Sequence, residues 1–164
     1  MKKNQLTTHK SSVLLLGKSK SLMKITKKLL ESKSKELANH KDITIIGDLM
    51  WEKESRKMEW DDGMEYAKNL RLGGYDDWRL PTREEFAEII KQCGGKYMDV
   101  SSNKKNKLYQ TNYKAIGFYS NNYWSSTTAV GYGYNAWGVY FDYGFGSRYG
   151  KSNSYNVRCV RDGQ

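Results

Sequence analysis

Proline occurs once in these 164 residues, as Pro81, and cysteine and histidine occur twice each. Each scarcity removes a class of chemistry. Cys93 and Cys159 are too few for a disulfide framework and too far apart in sequence for a zinc pattern. His9 and His40 both lie in the N-terminal segment, so no histidine cluster is available to bind zinc or act as a general base. Pro81 sits at a helix entry and flanks no loop of carboxylates and amides, so a calcium site, which wants about six to eight oxygens, is not expected. No cofactor or metal is expected, and no residue is assigned a catalytic role. Long apolar runs are missing too. Val13–Leu16 is shorter than a signal-peptide core and is followed at once by Lys18 and Lys20, and nothing approaches the length of a membrane span. Cytoplasmic synthesis is therefore the default, and surface display by a non-Sec route stays open.

Acidic charge is in short supply, but only at one end. The net charge is +10, and residues 1–41 hold eleven lysines against Glu31 and Glu36. The remainder is close to neutral, which argues against a phosphate-binding footprint spread over the whole domain. The chain divides on this basis into a basic N-terminal segment, 1–41, and one folded domain, 42–164. Residues 1–17 have no periodicity and read as a mobile arm. Leu22, Ile25, Leu29 and Leu30 then keep helical spacing opposite Lys24, Lys27 and Lys28. This predicts a short basic amphipathic helix whose apolar stripe docks on the domain or on a second copy of the chain, with membrane-surface and nucleic-acid contact as the other readings.

Within the domain, Ile43–Trp51 reads as strand with a turn at Gly47-Asp48. Trp60 to Leu72 carries Trp60, Met64 and Ala67 near helical spacing, with Asp61 and Asp62 in the first turn and Gly73-Gly74 at the end. Thr82 and Glu85 form the spacing of a capping box, and Phe86, Ile89 and Ile90 supply a buried face before Gly94-Gly95. Residues 96–118 are polar and weakly periodic, with an exposed loop predicted over Ser101–Lys107.

What the sequence has in abundance is tyrosine, asparagine, serine and glycine, which make up about two residues in three between Tyr119 and Asn156. That composition alone would suggest disorder. Trp137, Val139 and Phe141 nevertheless alternate with Gly138, Tyr140 and Asp142, which predicts a strand with one face inside and one outside. Tyrosine gives large contact area at low entropic cost, and serine, glycine and asparagine give adaptable hydrogen bonds, the mixture found in antibody binding loops. The predicted recognition surface is Tyr132, Tyr134, Asn135, Gly138, Tyr140, Asp142, Tyr143, Phe145, Ser147, Arg148, Tyr149 and Asn156. Trp78, Trp124 and Trp137 are expected as buried framework.

Leu49-Met50-Trp51, Tyr66-Ala67-Lys68-Asn69-Leu70, the run from Gly73 to Thr82, Tyr123-Trp124-Ser125-Ser126-Thr127, Ala136-Trp137 and Val157-Arg158-Cys159-Val160-Arg161 together resemble the Lcl-type C-terminal domain family over about residues 43–161. The resemblance implies an α+β, C-type lectin-like fold of the formylglycine-generating-enzyme-like branch, with two helices flanking twisted antiparallel sheets and ligand held by the C-terminal strands and loops. The same fold hosts the variable proteins of diversity-generating retroelements, in which adenine-directed mutagenesis rewrites a C-terminal repeat. The excess of tyrosine, serine, aspartate and glycine at 132–156 fits that process, and an invariant adhesion domain of the same family fits it as well. Members often carry a cysteine where this chain has Ala67, which removes the likeliest partner of Cys159; two buried free thiols are expected.

Three function classes follow. A non-enzymatic receptor- or adhesin-like protein, binding a protein or glycan through the tyrosine-rich surface, is placed first. An oxidase of the formylglycine-generating type would need two cysteines in an open cleft, whereas Cys159 reads as lying inside a strand, flanked by Val157 and Val160, with Arg158 and Arg161 as framework. Nucleic-acid binding is ranked behind recognition of protein or glycan, because the basic arm and the tyrosine-rich strands are far apart in the chain.

Overall fold

The computed structural model describes residues 22–32 and 40–163, so the arm expected over 1–17 lies outside the described residues. The chain separates into two compact units, Met1–His40 and Lys41–Gln164. In the first, residues 22–32 form helix α1, with the side chains of Leu22, Ile25, Leu29 and Leu30 exposed.

The second unit is an α+β domain whose chain ends are stitched together. Strands β1 (Ile43–Ile46) and β2 (Leu49–Glu52) make an antiparallel hairpin through Gly47, whose φ of 62° suits glycine. The C-terminal strand β8 (Val160–Asp162) pairs with β2 to complete a three-stranded sheet. The larger sheet contains β3 (Arg56–Met58), β4 (Asn122–Thr128), β5 (Asn135–Tyr140), β6 (Phe145–Gly150) and β7 (Tyr155–Val157), in the spatial order β3-β7-β4-β5-β6. Only the β4–β7 pair in it is parallel. The two-residue link Arg158-Cys159 carries the chain from one sheet to the other, so Cys159 lies between strands and not within one.

Helix α2 (Trp60–Asn69) stops three residues short of the Leu72 expected from spacing. Leu70 turns to extended backbone, and a tight Leu72–Tyr75 bridge follows, with Gly73 and Gly74 at φ 65° and 85°. Its buried stripe is Trp60, Gly63 and Ala67, not Met64. Gly63 is required by packing: a Cβ there would meet Val157 Cγ2 at 2.7 Å. Helix α3 (Arg83–Gln92) follows the sequence closely. The Thr82 side chain accepts the Glu85 N–H, Glu85 accepts the Thr82 N–H, and Phe86, Ile89 and Ile90 are buried.

The loop expected at Ser101–Lys107 is instead two helices, α4 (Val100–Lys105) and α5 (Lys107–Ala115). Asp99 and Asn106 cap them by accepting the N–H groups of Ser102 and Tyr109. Their buried side is made of polar residue types whose polar atoms find partners inside. Tyr109 and Tyr113, one turn apart, are fully buried; Tyr109 donates to the Phe141 carbonyl, and the Tyr113 hydroxyl lies 2.9 Å from Ser120 Oγ. The domain thus has four helices where two were expected.

Two packed clusters form the interior. One joins α3 and α5 to both sheets through Trp51, Phe86, Tyr109, Phe118, Tyr123 and Phe141, with the Phe118 and Phe141 rings stacked at 4.1 Å. The other joins α2 to the larger sheet through Trp60, Ala67, Trp78, Trp124 and Val157. Trp78 and Trp124 are buried as expected. Trp137 is only half-buried, its outer face covered by the Arg83 guanidinium at 4.4 Å, and Trp51 and Trp60 do the framework work it was assigned.

Candidate functional site

The tyrosine-rich stretch folds into the β4–β5 and β5–β6 hairpins. In the β5–β6 ladder Trp137 is opposite Arg148, Val139 opposite Gly146, Gly138 opposite Ser147, and Tyr140 opposite Phe145. Directly opposed residues share a side of the sheet, so Asn135, Trp137, Val139 and Arg148 point one way and Ala136, Gly138, Tyr140, Phe145, Ser147 and Tyr149 the other. Val139 packs in the cluster with Phe86 and Ile90, and Ala136 in the cluster with Trp124. Both sides of the ribbon therefore contribute to the interior along part of their length.

This splits the predicted surface in two. At one end of the ribbon, the loop between β4 and β5 presents Val130 at 94%, Tyr132 at 54% and Tyr134 at 90% exposure, with the Arg148 guanidinium 4.5 Å from the Tyr132 ring. At the other end, the turn between β5 and β6 brings together Tyr140 and Tyr143, ring centroids 4.9 Å apart, beside half-buried Asp142 and Phe145. Ser147 and Asn135 are half-buried along the strands.

Three predicted residues sit in the framework. Asn156 is buried on β7, and its side-chain amide donates to the Asn122 carbonyl at 3.2 Å, joining the parallel pair β4–β7. Gly138 is buried under the Tyr149 ring, where a Cβ would stand 3.0 Å from Tyr149 Cδ2. Tyr149 itself packs edge-on against Trp124 and Tyr155. All three lie within strands, on a side of the sheet that packs against Trp124 and Tyr155 or across the β4–β7 pair, which strand alternation alone does not reveal.

The two cysteines, Cys93 and Cys159, lie apart in the interior. Both are free and buried, in different clusters, and burial pushes the Cys93 thiol up to about 11. Burial, then the neighbouring Glu52 carboxylate, raises Cys159 further. Glu52 is itself buried and accepts hydrogen bonds from Arg56, from the Tyr66 hydroxyl and, at 3.3 Å, from the Cys159 N–H. Arg158 runs through the interior: its Nε donates to the Glu52 carbonyl at 2.6 Å, its Nη1 to the Ile116 carbonyl at 3.0 Å, and its guanidinium lies 4.3 Å from the Phe118 ring. Burial lowers it to about 10. Arg161 grips Asp77 with two hydrogen bonds, 2.6 and 3.0 Å, which hold the Asp77 carboxyl below its usual range. Both arginines are framework. Among the described residues no group of His, Cys, Asp and Glu is placed to hold a metal ion, and no helix is long and apolar enough to cross a membrane.

The motif running from Gly73 to Thr82 braces three elements. Trp78 Nε1 donates to the Leu72 carbonyl, Arg79 pairs with Val160 of β8 and with Glu85, and Thr82 caps α3. A cleft of 740 Å³ opens beside it, lined in part by Met64, Lys68, Asp77 and Ser126. A second groove, which sequence reasoning missed, runs along α4 and α5 and is lined by lysines. The Lys104-Lys105-Asn106-Lys107 run was its visible signal, hidden by the reading of that segment as a loop.

The family described as Lcl C-terminal domain matches residues 46–161. Among solved structures, botrocetin aligns at 10% identity and TM-score 0.48, covering 74% of this chain and 97% of its own. Human lithostathine aligns at 9% and 0.43, covering 74% and 89%. A mutant of CEL-I aligns at 9% and 0.41, covering 73% and 94%. No curated protein matches the chain in sequence.

Proposed function

The chain belongs to the Lcl C-terminal domain family, and on that premise we propose that it is a non-enzymatic, receptor- or adhesin-like protein that recognises a protein or glycan through the tyrosine-rich ends of its β5–β6 ribbon. One observation carries this reading. Tyr123, Trp124 and Phe141 are wholly buried, whereas Tyr132, Tyr134, Tyr140 and Tyr143, from the same stretch, belong to neither packed cluster. Large amphipathic rings held outside the core, here by the loop and the turn at the two ends of the ribbon, are the side chains from which interface energy is usually drawn.

The finer reading is the diversified variable protein of a retroelement. It is supported by the separation of roles along 132–158. The positions that read as fixed in the sequence are Trp137, Val139, Gly144 and Val157-Arg158; Val139, Val157 and Arg158 are buried, Trp137 is half-buried, and a Cβ on Gly144, at φ 57°, would lie 2.3 Å from Asn103 Nδ2. Among the positions read as varied, Tyr132, Tyr134 and Arg148 are exposed and Tyr140 and Tyr143 half-buried, whereas Gly138, Tyr149 and Asn156 sit in the framework. A near-copy of the coding stretch, differing almost only at adenines and lying beside a reverse transcriptase gene, is the genomic observation that decides between this and an invariant adhesion domain.

The binding test replaces Tyr132, Tyr134, Tyr140 and Tyr143 by serine together, leaving Tyr149 in place because it packs on Trp124. The variant is expected to melt within a few degrees of wild type, since Tyr132 and Tyr134 are exposed, half-buried Tyr140 and Tyr143 belong to neither packed cluster, and a change away from the core is usually worth about ±0.5 kcal/mol, and to lose retention on a glycan array and in protein pull-down. A folded variant that keeps every interaction of the wild type places the recognition surface elsewhere.

A further inference from the structure

The groove along α4 and α5 has a volume of 440 Å³ and is lined by Lys104, Lys105, Lys107, Gln110, Thr111 and Lys114. Helical spacing explains the ridge, since Lys107, Thr111 and Lys114 fall on one side of α5. The four lysines are exposed, and none of them enters an ion pair among the described residues. From Lys96 to Lys114 there are five lysines against Asp99 alone, so the near-neutral average of the domain conceals a local excess of positive charge.

The neutral polar groups of the groove are already occupied. Gln110 Nε2 donates to the carbonyls of Asn103 and Asp142, at 3.1 and 2.8 Å, and Thr111 Oγ1 donates to the Lys107 carbonyl at 2.9 Å. What remains available is a row of ammonium groups, each a point charge without the fork with which arginine reads a base edge. A neutral sugar offers such a row little; a ligand must bring its own anions.

Beside this row stands an aromatic pair. Asn103 Nδ2 donates to the Tyr143 carbonyl at 2.9 Å, and Gln110 ties the adjacent Asp142 carbonyl to α5, so the β5–β6 turn is fastened to the lysine helices. The Lys104 ammonium lies 5.6 Å from the Tyr143 ring, which in turn packs against Tyr140. Aromatics and cations distant in sequence are brought together by the fold. A cationic track with a ring platform at its edge is the arrangement that holds single strands, phosphates on the lysines and bases on the rings.

We propose that the α4–α5 groove and the Tyr140–Tyr143 pair form a binding site for single-stranded nucleic acid, tolerant of sequence. The site overlaps the proposed recognition surface at these two tyrosines and extends from them onto α4 and α5, away from Tyr132 and Tyr134.

The test uses the full chain and the fluorescence anisotropy of a labelled oligothymidylate over a series of salt concentrations, with melting curves taken beside it. Replacing Lys104, Lys105, Lys107 and Lys114 by glutamine together is expected to weaken binding at least about tenfold at low salt. The slope of log affinity against log salt should become shallower by about three, at roughly 0.7 for each phosphate contacted. Tyr140→Leu with Tyr143→Leu is expected to weaken binding several-fold with the slope unchanged. Unaltered affinity and slope in the lysine variant would assign any binding to the basic N-terminal segment and overturn the proposal. So would a lysine variant that fails to bind beside a tyrosine variant that binds as wild type while dextran sulfate displaces the oligonucleotide, because the groove would then be reading charge on a polysaccharide-like polyanion.

Discussion

Glu85 shows how much one side chain can join. Its carboxylate accepts both Arg79 guanidinium nitrogens, at 2.8 and 2.7 Å, and the Thr82 N–H at 2.7 Å, so it fixes the start of α3 and, through Arg79, the contact with β8. Partial burial alone would raise its pKa, but the hydrogen bonds from Arg79 and Thr82 outweigh that and hold it below the usual carboxylate value. A depressed carboxyl contributes stability that is present above its unfolded pKa and is lost as pH falls through the folded one. Glu85→Gln should therefore cost roughly 1–2 kcal/mol near neutral pH, the range of charged hydrogen bonds discounted for partial exposure. In urea melts the difference from wild type should shrink as the pH falls below about 4. An equal difference at both pH values would mean that shape, and not charge, is what Glu85 supplies.

At the scale of elements, α4 and α5 are where sequence reading and structure part most. The start of α3 was legible from Thr82 and Glu85 ahead of Phe86, Ile89 and Ile90, and the β1–β2 hairpin from the β-branched run Ile43–Ile46 and the turn at Gly47. The α4–α5 pair was not, because Asn103, Tyr109 and Tyr113 are buried through hydrogen bonds that a hydrophobic pattern does not register. The tyrosine-rich strands show the same limit. Alternation put Val139 inside and Tyr140 outside, and Val139 is buried and Tyr140 half-buried, but a period of two cannot tell that Tyr149 packs on Trp124 and Tyr155 or that Asn156 is buried on β7 between β3 and β4. Asn103 is the hinge pin of this region. It is fully buried, accepts the Lys96 N–H at 2.8 Å and donates to the carbonyls of Lys96 and Tyr143. Asn103→Leu removes the partner of the Lys96 N–H and of the Tyr143 carbonyl, while the Lys96 carbonyl still accepts the Asp99 N–H at 3.1 Å, and should cost about 3 kcal/mol, at roughly 1–3 kcal/mol for each buried group left unpaired. Amide exchange should quicken at Lys96 and at Met98, whose N–H donates to the Gly144 carbonyl. Exchange unchanged at both amides would show that the turn holds without Asn103.

At the scale of the whole chain, the division into Met1–His40 and Lys41–Gln164 leads to a simple expectation: limited proteolysis between the units should leave a core that melts cooperatively at the temperature of the intact protein. A lower melting temperature in the trimmed core would mean that the basic segment supports the fold. The core itself is tied end to end, since β2 finds its outer partner in β8 and β3 finds its only partner in β7. A nascent chain emerging from the ribosome thus carries β2 and β3 through about a hundred residues of synthesis before β8 and β7 exist to pair with them, with the lone β1–β2 hairpin too small to stand by itself. The domain is therefore expected to close only once the strands around Val157 and Arg161 have cleared the exit tunnel. A product broken off within the tyrosine-rich stretch lacks β7 and β8, the partners of β3 and β2, and is expected to stay unfolded.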